Sequence, residues 1–555
     1  MRVKIIVIGI IFLLSASQLV FASSFEKNNK DDSINTLESN DLPSYFSWND
    51  IDGVDYTTPV RFQAPYASCE SFAFLAAIET MVQYKVGFPF NCDLSEAHLF
   101  FHSNGNLAWG SYPENDTNYL VNHGVPDEAC WPYPKEIKQY PLNTTSPDWQ
   151  NRTVKIKNWS YLPEDPIAIK TALINNGPVP TYFVVYKDFW YYKRGIYQHR
   201  WGKVIAPHYV TIVGWNDNPG YWIIKNSWGE SWGDNGWFKI KYGECSIEKK
   251  SFNLTGVYGK FPILYVDDDN TNGPWDGSKE NPYQRIQDAI NNAYNGYTIF
   301  VKNGTYCENV IINKSINLDG ENKSTTIIGG NNNEHVIVVT STNVRITGFT
   351  IQNSGPNPFN SGIKTLSLKA NTTISDNIIQ NNNIGIFLNY AYETSWNIIK
   401  DNIIQNNEKG IYQHWSFNNV ITDNIIKNNF GNGIELEHSN KARIKGNVIQ
   451  DNVGCGIYIR TSSNKNIISG KNNIINNSIG IKLENSYKNR ITNNNFIDND
   501  QQAIFYDSFF NIWYRNFWDR PRILPKLVFG KINIGFLSLN KINVDWRPSF
   551  FPYSK

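Results

Sequence analysis

Cys69 carries the most chemical information in this chain of 555 residues, because of what surrounds it. Gln63 stands just before it, and the run Ser71-Phe-Ala-Phe-Leu-Ala-Ala-Ile-Glu79 directly after it reads as an apolar helix. A thiol in the first turn of a helix meets unpaired backbone N–H groups and the positive end of the macrodipole, which favours thiolate over thiol. Far downstream, Pro207-His208-Tyr209 opens a β-like run, and Lys225-Asn226-Ser227-Trp228-Gly229 follows it. A nucleophile, a base and an amide to orient the base therefore occur in the order that a Cys–His–Asn triad requires. Such a set performs nucleophilic acyl transfer through a covalent thioester.

The elements that must position these groups lie between residues 42 and 256. A helix after Cys69, a second from Ser95 to His102 and a third from Asp165 to Asn175 precede β-like runs. Those runs are Val179–Tyr186, Tyr209–Trp215, Tyr221–Lys225 and Trp237–Lys241, rich in aromatic and β-branched residues and bounded by Gly, Asn and Pro. Helices first and strands later predict an α+β unit.

Composition bounds the rest. The formal charge of +1, from 51 basic and 50 acidic residues spread without blocks, gives no electrostatic footprint for nucleic acid or an anionic membrane, and neither partner is favoured. Met1-Arg2-Val3-Lys4, the apolar stretch Ile5 to Leu14 and Val20-Phe21-Ala22 have the form of a secretory signal over residues 1–22, so an extracellular location, secreted or at the cell surface, is expected. No other segment is long and apolar enough to span a bilayer, and residues 23–41 read as a flexible polar lead. Of the six cysteines, Cys92 and Cys130 are the expected disulfide pair, with Cys307 and Cys455 expected to be buried and inert. No metal site or cofactor is expected.

Leu42-Pro-Ser-Tyr-Phe-Ser-Trp48, Gln63 to Cys69, Leu94-Ser-Glu96, Gly124 to Tyr133, His208 and Asn226 to Gly236 together resemble the papain-family cysteine peptidases over residues 42–256. The resemblance implies a two-lobed fold and a protein or peptide substrate. It makes Cys69 the nucleophile, His208 its acid and base, Asn226 the group that orients His208, and Trp228 a shield over that contact. The Gln63 amide would complete the oxyanion hole, and Tyr182, Ala206 and Pro207, with Trp228, would bind substrate. It also marks departures: Tyr66 stands at a cysteine position of one family bridge, no cysteine is placed to bridge Cys245, and Glu70 follows the nucleophile where tryptophan is usual. Glu70 is expected either to oppose the thiolate or to point to solvent. The lead from Ser23 to Asp41 is shorter than an inhibitory propeptide of the family.

After residue 260 the text changes to Asn and Ile and repeats itself: Asp376-Asn-Ile-Ile-Gln-Asn-Asn, Asp401-Asn-Ile-Ile-Gln-Asn-Asn, Asp423-Asn-Ile-Ile-Lys-Asn-Asn. Gly385, Gly410, Gly433, Gly456 and Gly480 follow one another every 23 to 25 residues, the length of one coil of a β-solenoid. The region resembles right-handed parallel β-helix proteins of the pectate-lyase-like type. The expected division is therefore a peptidase unit at 42–256, a junction at 257–268, an all-β right-handed parallel β-helix at 269–510, capped at its start by a helical stretch over 276–293, and a C-terminal cap at 511–555. Asp376, Asp401 and Asp423 are read first as a turn ladder and only second as a calcium or sugar site. Tyr390, Tyr392 and Trp415 are possible sugar-stacking residues, and Asn143, Asn158 and Asn313 lie in glycosylation sequons.

The function these features support is a secreted cysteine endopeptidase whose β-helix attaches it to a surface or a glycan. The alternatives are a glycan-binding β-helix protein with an inactive peptidase-like domain, and a polysaccharide-degrading β-helix enzyme.

Overall fold

The computed structural model describes residues 42–106, 110–134, 136, 148–366, 371–391, 396–534 and 537–554. The signal segment 1–22, the lead 23–41, Asn143 and Tyr392 lie outside them.

The first unit has two cores that meet along one strand. Helix α1 (Cys69–Val86) is buried nearly all round, with Phe74, Leu75, Ile78 and Val82 inaccessible to solvent. Each such side chain contributes about 1.5–3 kcal/mol by leaving water. Around it pack α2 (Glu96–His102), α3 (Pro113–Asn122) and the antiparallel pair of β2 (Val154–Tyr161) and β8 (Phe252–Gly259). The second core lies on a sheet of β1 (Tyr45–Ser47), β3 (Val179–Tyr186), β4 (Ile196–Tyr197), β5 (Val204–Asn216), β6 (Tyr221–Lys225) and β7 (Trp237–Lys241), with α4 (Pro166–Asn175) against it. Strand β5 joins the two: Tyr209 belongs to the α1 core, and Val210, Ile212, Val213 and Trp215 to the sheet core. Thr211 Oγ1 donates to Ala73 O at 2.9 Å, which pins β5 to α1 one turn past Cys69.

The second unit is a parallel β-solenoid. Three sheets of 11, 10 and 11 strands stack one coil on the next, starting from β9 (Ile263–Val266) and β10 (Thr298–Val301). Strand β9 falls in the 257–268 stretch, so the solenoid begins at once after β8. Helix α5 (Ile286–Asn292) closes the first coil by burying Ile286, Ala289 and Ile290 on the Ile-rich core.

Asparagine does two separate jobs here. Asp376, Asn381, Asp401, Asn406, Asp423 and Asn428 take the left-handed turn conformation, with φ between 53° and 57°. The residue after each is a buried Asn that bonds the same residue one coil on. Asn377 Nδ2 donates to Asn402 Oδ1 at 3.1 Å, and the chain of amides continues through Asn424, Asn447, Asn472 and Asn494 to Asn516. A second ladder runs from Asn382 through Asn407, Asn429, Asn452 and Asn477 to Asn499. Asp376, Asp401 and Asp423 are thus turn residues, and Lys323 pairs with Asp376. The periodic glycines sit where coils touch: a Cβ on Gly385 would lie 2.6 Å from Gly410 O.

One more coil, β37 (Ile512–Tyr514) and β38 (Phe517–Trp518), extends past residue 510 before an antiparallel hairpin of β39 (Lys526–Ile534) and β40 (Leu537–Asp545) ends the stack. Buried Asp545 terminates the first ladder, accepting from Asn516 Nδ2 at 3.1 Å and Trp518 Nε1 at 3.0 Å.

The two units share packing. Ile263 and Tyr265 of β9 belong to the α1 core, and the rings of Phe88 and Phe300 stack 4.2 Å apart. Arg152, paired with Asp127, lays its guanidinium 4.3 Å over Tyr294.

Cys92 is a free thiol, so the Cys92–Cys130 pair is not formed. Cys92 is wholly buried at the foot of α1, where it packs as a small hydrophobe. Cys307 is exposed rather than buried, because on β11 (Gly304–Cys307) it falls on the outward side of the alternation. Tyr66 fills the place of a missing bridge with rings, lying 5.6 Å from Phe101 and 5.9 Å from Tyr133.

An interior rung of the amide ladder binds in both directions, and replacing it strands partners on two coils. Asn447→Ala is expected to cost about 2–3 kcal/mol, read by calorimetry as a lowered transition of the solenoid while the peptidase unit's transition stays in place.

Candidate active site

The structure brings Cys69, His208, Asn226 and Gln63 to the seam between the two cores. Cys69 opens α1, so its backbone N–H is one of the helix's unpaired donors. The N-cap residue Ser68 turns its hydroxyl away from the helix to Tyr133 OH at 2.6 Å. His208 lies on β5 opposite Phe183 of β3, and the backbone N–H of its neighbour Tyr209 bonds the Cys69 sulfur. Asn226 follows β6 directly, and its Oδ1 is 2.8 Å from His208 Nε2. An amide oxygen there accepts, so Nε2 carries the proton and Nδ1 is the free base. The Trp228 ring lies over this contact, 5.1 Å from the imidazole.

Gln63 is tied to the same segment from the other side. Its backbone N–H donates to Ser227 O at 2.9 Å, and its Oε1 accepts from Ser227 Oγ at 2.7 Å. That bond turns the amide so that Nε2 is the outward group, engaged only by a long 3.4 Å contact to Tyr66 O.

Beneath these residues lies a buried ionic strut. Glu79 of α1 accepts from Thr58 Oγ1 at 2.5 Å and from Leu94 N at 2.9 Å. Lys225 Nζ donates to Thr58 Oγ1 at 2.7 Å. Arg61 reaches Asp93 at 2.8 Å and Glu79 and Glu96 at 3.5 Å, and these anions raise its pKa against burial. Arg61 is two residues from Gln63 and Lys225 one from Asn226, so the strut fixes both. Asp93, Glu96 and Glu128 bring carboxylate oxygens within 4.8 Å of one another, the arrangement a cation needs. Arg61 already serves as that cation for two of them.

Electrostatics at the thiol are set by its neighbour. Glu70 is buried rather than solvent-facing, and Cys69 Sγ donates to its Oε2 at 3.4 Å. Gly110 makes the room: at φ +88°, a Cβ there would stand 3.0 Å from Glu70 Oε1. Burial pushes the Glu70 carboxyl up to about 7. Burial and then Glu70 push the Cys69 thiol up, and burial pushes His208 down to about 4 against the Asn226 bond. Alone, each group is held neutral; passing the thiol proton to the imidazole creates a thiolate and an imidazolium together, each serving as the other's counter-ion where either charge alone would be buried unpaired. Behind Glu70, buried Asp116 collects the hydroxyls of Ser71, Ser103 and Ser111, its carboxyl raised to about 8 by burial.

The residues expected to bind substrate divide. Ala206 is half-buried and Pro207 exposed on β5, and Tyr182 packs 5.8 Å from Tyr209 in the α1 core. Trp228 is elsewhere: with Phe62, Trp190 and Trp232 beside Gln63 it lines a cavity of about 340 Å³. Tyr209, Phe62 and Trp190 escaped the sequence reading. Tyr209 had a signal, adjacency to His208; Phe62 and Trp190 had none beyond their type.

A thiol at a helix start and an amide-braced imidazole, on a two-lobed α+β fold, define a thiol peptidase. Residues 42–255 match the model of the papain family cysteine proteases, and residues 290–470 and 357–523 match that of the periplasmic copper-binding protein NosD. The chain is 48% identical over 216 residues to the cathepsin B-like CP3 of Giardia intestinalis, a match covering 34% of this chain and 66% of that protein. It is 29% identical over 261 residues to the cathepsin B-like CP2 of the same organism, covering 42% of this chain and 82% of that one. The bromelain protease of Ananas comosus, solved with the E64 inhibitor, is 25% identical with a TM-score of 0.33, covering 39% of this chain and 99% of that one. The N-terminal unit is a papain-family, cysteine-type peptidase domain, and a parallel β-solenoid follows it.

Among the described residues of the solenoid, no three His, Cys, Asp or Glu side chains converge as the donors of a copper site would. The His335 Nδ1 accepts from Ser361 N at 3.0 Å and its Nε2 faces Lys364 Nζ at 3.1 Å. The rings of His414 and His438 are 6.2 Å apart, and neither methionine of the chain, Met1 or Met81, lies in the solenoid. Among the described residues, three converging ligand side chains occur only at Asp93, Glu96 and Glu128, in the peptidase unit.

Glu70 is neutral below about pH 7 and an anion beside the thiol above it. The kcat/KM is therefore expected to fall as pH rises through that value, and Glu70→Gln to remove this limb and raise activity at pH 8 by roughly tenfold, one pKa unit on the thiol. A pH profile with a fluorogenic peptide reads both.

Proposed function

We propose that this protein is a secreted cysteine endopeptidase, with its peptidase unit at residues 42–256 and the solenoid that follows attaching it to a surface or glycan. The observation that carries the reading is the His208 Nε2 contact with Asn226 Oδ1 at 2.8 Å beneath Trp228, on the strand that abuts the helix start bearing Cys69. Cys69 thiolate attacks the scissile carbonyl while the oxyanion is held by the Cys69 N–H and Gln63 Nε2. His208, as imidazolium, gives its Nδ1 proton to the leaving amine; it then takes a proton from the water that hydrolyses the thioester. Asn226 keeps the ring in the productive tautomer throughout.

His208 delivers its proton to the leaving group, so the cavity beside Trp228 and Gln63 receives the residues that follow the scissile bond. Its walls are apolar and aromatic, and Phe62 and Trp190 stand more than half exposed, ready to be covered. The reading assigns the site a preference for large apolar or aromatic residues there. On the other side, Tyr182, Ala206 and Pro207 favour an apolar side chain before the bond.

An epoxysuccinyl inhibitor is expected to label the full chain at Cys69, and Cys69→Ala to abolish both labelling and peptide cleavage; a mutant with undiminished cleavage would sink the reading. Gln63→Ala is expected to lower kcat by about 10²–10³. In a substrate library varied after the scissile bond, Phe62→Ala with Trp190→Ala is expected to lose about tenfold for aromatic residues, as loss of about 1–2 kcal/mol of apolar contact predicts, and little for glycine.

A further inference from the structure

We propose that the C-terminal end of the solenoid is a docking surface for an anionic lipid bilayer, formed by the outer face of the β39–β40 hairpin and the basic residues around it. The proposal deepens the reading of the solenoid as an attachment module and does not depend on the peptidase chemistry.

Exposed apolar surface is concentrated there. Of the 37 exposed large apolar side chains among the described residues, twelve lie between residues 510 and 551. The hairpin's register shows how. Directly paired residues of an antiparallel ladder share a face. Val528 and Ile532 point inward and are buried, Val528 on the Ile-rich core. The opposite face carries Leu527 and the cross-strand pair Phe529 and Ile542, all exposed. This outer face is apolar over the pairs Leu527–Val544 and Phe529–Ile542 and turns polar over Lys531–Asn540 and Asn533–Ser538, so a basic residue borders the apolar half. The segments flanking the hairpin add Ile523, Leu524, Trp546 and Phe551, each more than two-thirds exposed. Exposed large apolar residues gathered at one end of a fold mark an interaction site.

Charge selects the occupant. Residues 511–555 hold eight Lys and Arg against two Asp, in a chain whose overall charge is +1. One of the two, Asp545, is buried and spent on the amide ladder. Arg520, Lys531, Lys541 and Arg547 are exposed. Lys541 lies 5.1 Å over Phe509, and Lys526 lies 5.8 Å over Trp518 with Arg520, Arg522 and Asp519 also near it. Strand β40 is the free edge of its sheet, but a second copy pairing there about a two-fold axis would set like charges against one another. Apolar and aromatic side chains ringed by Lys and Arg instead match the boundary between acyl chains and anionic headgroups.

Vesicle flotation of the full chain tests this, with phosphatidylcholine alone and with an equal mixture of phosphatidylcholine and phosphatidylglycerol. The chain is expected to float with the mixed vesicles in low salt, to be released by high salt, and to ignore phosphatidylcholine alone. Lys531→Gln with Lys541→Gln is expected to weaken binding on the order of thirtyfold, two surface charges' worth. Phe529→Ser with Trp546→Ser is expected to abolish flotation while peptide cleavage and the circular dichroism melt stay as in the parent, which keeps misfolding apart from lost docking. No flotation on mixed vesicles in low salt, or flotation indifferent to lipid charge and to both variant pairs, overturns the proposal. So does a dimer in light scattering that Phe529→Ser with Trp546→Ser dissolves, which would give the face to a second copy. Labelling of Cys69 beside failed flotation would leave the peptidase reading standing and remove only this one.

Discussion

Both units of this protein depend on one constraint: a polar group taken out of water must find a partner, or its burial costs more than the fold can bear. Each unit meets it differently. In the solenoid each buried turn amide donates to the amide of the next coil, so the solution to one coil's problem is the next coil, until Asp545 ends the series. In the peptidase unit the solution is local and charged: Glu79, inside the most buried helix of the structure, is answered by Thr58, Arg61 and a backbone N–H. The first scheme extends without limit and makes a scaffold. The second is finite and makes a site, because Arg61 and Lys225 leave the strut two residues from Gln63 and one from Asn226.

That arrangement explains why the reactive groups can sit on short, irregular segments. Gln63 lies on a loop and Asn226 just beyond a strand end, where the backbone alone would hold them loosely. The buried ion cluster and the Ser227 bonds give both segments the stiffness that an oxyanion donor and a base-orienting amide need. Glu70 runs against this economy. It places an ionisable carboxyl against the nucleophile, in space that Gly110 keeps open, with a second buried acid, Asp116, behind it. Neither acid helps a thiolate form: Glu70 opposes it directly, and Asp116 is coupled to Glu70.

The parts of the structure that the sequence made legible are those specified by type and spacing. Cys69, His208 and Asn226 were legible because a helix start, a strand and a strand end each announce themselves locally, and the coil period because its glycines are forced by contact between neighbouring coils. What stayed hidden depends on the fold's third dimension. The burial of Glu70 turns on Gly110, forty residues away. The aromatic cavity joins Phe62 to Trp190 and Trp232, which share no pattern. Asp376 and Asn377 look like one motif in sequence, yet one is a turn residue and the other a rung. Helix α3 was missed because it is mostly polar, and strand β2 because its Val154-Lys-Ile-Lys alternation is short and runs out into Asn158-Trp-Ser-Tyr161. The Cys92–Cys130 pairing failed for a related reason: cysteine count and domain membership say nothing of whether a thiol ends on a protein's inside or beside a partner.

Composition misleads most where charge is concerned. A total of +1 suggests a molecule indifferent to charged surfaces, but the total conceals a segregation in which the last coil and its hairpin are strongly basic and the rest of the chain is net acidic. The segregation has mechanical meaning because the two units are not beads on a string. Strand β9 follows β8 directly and packs in the core of α1, while Phe88 and Arg152 grip the first coil from the peptidase side. A stack of parallel coils rigid enough to carry continuous amide ladders transmits orientation along its length. Whatever holds the basic end therefore also sets the direction in which the cleft between Cys69 and His208 faces, through packing contacts rather than through a linker.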